Sequence, residues 1–152
     1  NSLRFSLHYF SYIWLYLSMI MVVMIRDGLS FLIVWEIMAL SSFLLVIFDA
    51  EDTTIMKTGI NYLIQMHVGM FFILIAFLIV DKETGQMSFY ALGDYFSNHS
   101  NLLLFILFFI GFGIKAGFIP MHTWLPQAHP AAPSHVSGVM SGVMIKMGIY
   151  GI

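Results

Sequence analysis

The 152-residue chain contains no cysteine, which excludes disulfides, thiolate-held clusters and thiol nucleophiles. Charge is also scarce. Asp, Glu, Lys and Arg make up 9% of the residues and the formal net charge is -2, so no basic surface for nucleic acid or anionic lipid is expected. Proline is confined to Pro120, Pro126, Pro130 and Pro133. What remains is 60% hydrophobic and 16% aromatic, with a mean hydropathy of +0.91. A soluble domain of this size could not hide that much apolar surface in one core, so the chain is read as an all-α, polytopic membrane segment. It begins at Asn1 and ends at Ile152 within an apolar run, and is read as a piece of a longer polypeptide.

About five spans are expected. Residues from about Tyr9 to Ile25 and from about Leu29 to Phe48 are each long enough to cross about 30 Å of hydrocarbon. Arg26, Asp27 and Gly28 separate them. An acidic loop over 49–54 should cap a third span, about Ile55 to Val80, because carboxylates and hydroxyls suit a helix N-terminus. In that span Lys57, Asn61, Gln65 and Gly69 share a face that should look into protein, with His67 pointing roughly the other way. Residues 81–101 read as a surface loop with one short helix. The fourth span, about Leu102 to Ile119, must break or kink at Pro120, because proline removes a backbone donor and clashes with the preceding turn. Met121 to Ala128 continues as a short segment, and the Pro130 to Pro133 linker leads into the fifth span, with Ser134 as its N-cap. There Ser134, Gly138, Gly142, Lys146 and Tyr150 lie on one face, where the small residues permit close helix approach.

Glu36, Lys115 and Lys146 each fall well inside an expected span. A charge at the centre of a membrane helix costs about 2.5 to 3.5 kcal/mol on insertion scales unless it is paired or wetted. Two readings follow: a structural ion pair or snorkelling lysines on one hand, a proton or cation path on the other. Lys115 precedes the break, where carbonyls freed from the helix ladder favour a cation, as in the broken helices of transporters. Buried amines and carboxylates also titrate together, so Glu36, Lys115 and Lys146 could form a row that passes a proton along. His122, His129 and His135 surround the break as candidate relays or partners of loop carbonyls, and His67 is either a relay or a packing residue. Their spacing, interrupted by prolines, does not suit a metal site, and none is expected. The methionines of the last span read as adaptable packing.

The segment GIKAGFIPMHTWLPQAHPAAPSHVSGVMSGVMIKMGIYG, with the earlier FLIVWEIMALSSFLLV, resembles the antiporter-like transmembrane subunits of respiratory complex I, Mrp-type antiporters and membrane-bound hydrogenases. The wording HPAAPSHVSGVMSGVMIKMGIYG looks closest to the hydrogenase-4 and formate hydrogenlyase branch. The resemblance implies two inverted five-helix repeats, each with a broken helix, of which residues 1–152 would be most of the first. It implies that Glu36 is the glutamate and Lys115 the broken-helix lysine of a proton-carrying pair, and that Lys146 hands the proton onward.

The main expectation is therefore proton translocation by a subunit of an ion-pumping redox complex, multi-pass in the inner (cytoplasmic) membrane. Partner subunits would do the redox chemistry, since the chain offers no ligand set for such centres and no cofactor of its own is expected. A sodium/proton antiporter subunit of Mrp type is the alternative within the class, and a passive membrane anchor is the alternative outside it. Membrane lipid and other subunits are the expected partners, and nucleic acid is not.

Overall fold

The computed structural model describes residues 2–48, 53–98 and 101–152. The chain folds into α1 (Ser2–Met24), α2 (Gly28–Val46), α3 (Thr53–Thr84), α4 (Phe89–Asn98), α5 (Leu102–Ala116), α6 (Leu125–Ala131), α7 (Ser134–Val139) and α8 (Ile145–Tyr150), with a π-helical turn at Met140–Met144 joining the last two. This is an all-helical, polytopic membrane architecture among the described residues. Three helices are long and apolar enough to cross a membrane: Arg4–Met24, Gly28–Val46 and Thr53–Thr84. The other two expected spans differ from a simple rod. α5 is apolar but only 15 residues long, and the last helical path is divided by the π turn.

Local chemistry sets the helix ends. Asp27 caps α2, its carboxylate accepting the backbone N–H of Ser30 at 2.8 Å. The Ser30 side chain and then its backbone N–H, both bonding the carboxylate, hold the Asp27 carboxyl below the usual carboxylate range. Gly28 N–H donates to Met87 O at 2.8 Å and Phe89 N–H to Arg26 O at 3.0 Å, which ties the α1–α2 turn to the start of α4. The expected acidic cap at 49–52 lies outside the described residues.

The break in the fourth span comes earlier than expected. α5 stops at Ala116 because Gly117 adopts a left-handed conformation, φ +69°, and Phe118 N–H turns back to Gly113 O at 3.0 Å. Pro120 therefore lies inside an irregular segment that α5 has already entered. Pro130 sits inside α6 rather than in a linker, so the chain turns at Ala132 and Pro133. The expected N-cap role of Ser134 is not seen either. Pro133 occupies that position, Ser134 is the first helical residue, and no side chain caps the helix.

The layers pack closely where glycine permits. A Cβ on Gly111 of α5 would stand 2.8 Å from Gly69 O and 2.5 Å from Ile73 Cγ1 of α3, so the two backbones touch there. Phe31 and Trp35 of α2 meet Phe112 of α5 with ring centroids 6.0 and 5.5 Å apart, at the centre of the bundle. Within this chain the close approach of the last helix occurs at Gly148. A Cβ there would lie 2.5 Å from Ala116 N and 2.7 Å from Phe112 O. Gly138 and Gly142, where it was expected, have open space around them. Their whole face, from Ser134 to Tyr150, is exposed.

Candidate functional site

Glu36 stands near the middle of α2, and α3 brings His67 to it, with Nε2 3.2 Å from the carboxylate Oε2. The other oxygen, Oε1, is buried without a hydrogen-bond partner among the described residues. Opposite, in the last turn of α5, Lys115 is 1% exposed, and its Nζ likewise has no hydrogen-bond partner. The ammonium lies 5.6 Å from the centroid of Trp35, the residue next to Glu36. Both His67 and Lys115 act electrostatically on Glu36. The carboxylate's direct partner is thus the histidine.

The end of α5 is held from the far side of the break. Trp124, 1% exposed, donates its indole Nε1–H to Ile114 O at 2.8 Å, beside the Gly117 N–H that the same carbonyl accepts at 3.2 Å. Its ring packs 5.1 Å from that of Tyr62. Tyr62 OH lies 2.6 Å from Ser42 Oγ, and Ser42 donates in turn to Ala39 O at 2.8 Å, so the phenol is the donor.

The polar face of α3 does look into protein. Thr123 Oγ1 donates to Gln65 Oε1 at 3.1 Å, Gln65 Nε2 to Asn61 Oδ1 at 3.3 Å, and Asn61 Nδ2 to Gln127 Oε1 at 3.1 Å. This chain of side chains joins α3 to Thr123 in the irregular segment and to Gln127 in α6. Lys57, at the start of the same face, is exposed.

The remaining sequence candidates are dispersed. Lys146 is exposed on α8. Gly148, about 200° further round the helix, is the residue turned toward α5, so Lys146 faces away from Lys115. His122 is half-buried, its Nδ1 without a partner. His129 is tied to Ser137 Oγ, 2.8 Å from its Nδ1. His135 meets a residue the sequence reading passed over, His8 of α1, with Nε2 atoms 2.9 Å apart. Trp35, Ser42, Tyr62 and Trp124 were also missed. Only Trp35 carried a local signal, its adjacency to Glu36.

The fold and site define a polytopic helical membrane protein with a carboxylate and an imidazole in contact between two helices and a buried amine at the end of a discontinuous one. The chain belongs to the NADH:quinone oxidoreductase/Mrp antiporter transmembrane family, whose model matches residues 26–152. It is 43% identical over 136 residues to hydrogenase-4 component B of Escherichia coli, covering 89% of this chain and 20% of that protein. It is 35% identical over 150 residues to an NAD(P)H-quinone oxidoreductase chain 4 of Thermosynechococcus vestitus, covering 96% of this chain and 28% of that one. Among solved structures it is similar to a chain of the membrane-bound sulfane sulfur reductase, an archaeal respiratory membrane complex, with a TM-score of 0.70 and 30% identity over 83% of this chain and 21% of that one. The chain thus spans 20 to 28% of the length of these relatives.

Proposed function

We propose that this chain carries one proton-translocating half-path of a membrane subunit in an ion-pumping redox complex, with Glu36, Lys115 and His67 as the groups that exchange the proton. The observation that carries the reading is the pair of buried, unpartnered polar atoms, Glu36 Oε1 and Lys115 Nζ. A structural ion pair would close on itself. Two charged groups held near one another, each with unused capacity, suit a site that changes partners as protons move. Family membership and the hydrogenase-4 and quinone oxidoreductase relatives support the redox-complex setting.

In this reading residues 1–152 form most of the first of two repeats. Lys146, turned away from Lys115, serves the onward step by facing the rest of the polypeptide. The redox centres belong to partner subunits, and the membrane is the cytoplasmic one. The test is proton uptake by proteoliposomes carrying the assembled complex. Glu36→Gln and Lys115→Ala should each reduce pumping to background while the complex still assembles. Pumping at the wild-type rate in either variant would sink the proposal and leave the anchor reading. Uptake of sodium in place of protons would favour the antiporter reading.

A further inference from the structure

The contact between His8 and His135 lies at the end of the bundle where α1 begins and α7 starts, away from Glu36 and Lys115. Their Nε2 atoms are 2.9 Å apart, with ring planes inclined by 72°. Aromatic walls hold both rings. His8 packs on Phe48 with centroids 4.2 Å apart and stacks with Tyr12 at 6.3 Å, while His135 meets Tyr12 edge-on at 5.7 Å. Two imidazole nitrogens cannot point lone pairs at one another across such a gap unless something positive sits between them. A shared hydrogen is one such centre.

We propose that a divalent transition ion of the zinc or copper type is the other, and that His8 and His135 form a metal site bridging α1 and α7. Zinc–imidazole bonds of about 2.0 to 2.1 Å at a tetrahedral angle place two ligand nitrogens about 3.3 Å apart. The observed spacing reaches that value with a small rotation of either ring, and His135 is exposed, so an ion has access. Imidazole pairs select borderline ions such as Zn²⁺ and Cu²⁺ over the oxygen-seeking Mg²⁺ and Ca²⁺. Water fills the remaining positions. The Arg4 guanidinium stands 5.0 Å over the same Phe48 ring that His8 packs on. An occupied site staples the first helix to the one that follows the break.

The test is Cu²⁺ binding by the intact polypeptide in detergent, free of any affinity tag, followed by electron paramagnetic resonance, with Zn²⁺ as competitor. One Cu²⁺ with hyperfine splitting from two imidazole nitrogens is expected, displaced by Zn²⁺. His135→Gln and His8→Gln should each lower the affinity at least about tenfold, since loss of a ligand costs no less than loss of a group that merely orients one. His122→Gln and His129→Gln should leave it unchanged. His135 is exposed, so its variant decides the matter even where His8→Gln fails to fold. An unchanged spectrum and affinity in His135→Gln, or a single coordinated nitrogen in the wild type, would overturn the site.

Discussion

The indole of Trp124 reaches back across the helix break to hold the carbonyl of Ile114, the residue immediately before Lys115. A buried side chain from the irregular segment thereby fixes the end of α5 and the direction in which the lysine leaves it. Trp124→Phe preserves the ring packed on Tyr62 and removes only the donor. The Ile114 carbonyl keeps the Gly117 N–H at 3.2 Å, so losing the indole donor should cost about 0.5 to 1.5 kcal/mol, the net worth of one hydrogen bond. The expected result is a lower thermal midpoint in detergent, together with slower proton uptake if Lys115 acts as proposed above. An unchanged midpoint would show that the Gly117 N–H alone satisfies the carbonyl.

Glycines in this bundle divide sharply by what surrounds them, and alanine substitution should expose the difference. A Cβ at Gly148 runs into the backbone of Ala116 and Phe112, and one at Gly111 into Gly69 O and Ile73. Neither neighbour can rotate away, so Gly148→Ala and Gly111→Ala should each destabilise by about 1 to 3 kcal/mol. Gly93, in α4, has no atom within 4 Å of its Cβ position. Gly93→Ala should be neutral, or stabilising by up to about 1 kcal/mol from helix propensity. Chemical denaturation of the three variants side by side checks the order.

Asp27 makes the stability of the start of α2 depend on pH. Its folded carboxyl lies below the ordinary range because it accepts hydrogen bonds from the Ser30 side chain and the Ser30 N–H. A lowered folded value means that the ionised form favours folding. The contribution is complete above the ordinary carboxylate range and is lost as pH falls through the lowered value. The protection factor of the Ser30 amide, its exchange relative to an unstructured peptide at the same pH, should therefore fall on acidification in the wild type. In Asp27→Ala it should be low throughout, with no such pH step. A step of equal size in the variant would assign the effect to another carboxylate.

The class of fold was legible because composition leaves no other way to bury so much apolar surface, and Glu36 and Lys115 stood out as charges within apolar runs. Lys146 gave the same signal and behaves differently. Which side of a helix faces the bundle depends on where a neighbour can approach, and that is decided by Gly148 two positions later. Pro120 is the stronger helix breaker in general, yet Gly117 comes first and its positive φ ends α5 before the proline is reached. His8 and His135 are 127 residues apart, so no local period could have paired them. Ser42 and Tyr62 likewise meet only because α2 and α3 pack together.

α5 has a mechanical and electrical consequence through its length alone. Its 15 residues cover about 22 Å at 1.5 Å per residue, well short of the roughly 30 Å of a bilayer's hydrocarbon. The remaining thickness falls to looped backbone around Gly117 and Pro120, which insulates less well than a continuous helix. A charge carried across the whole bilayer against 100 mV does work of about 2.3 kcal/mol, and the part of the path beside α5's missing turns runs along exposed backbone dipoles in place of a closed helix ladder.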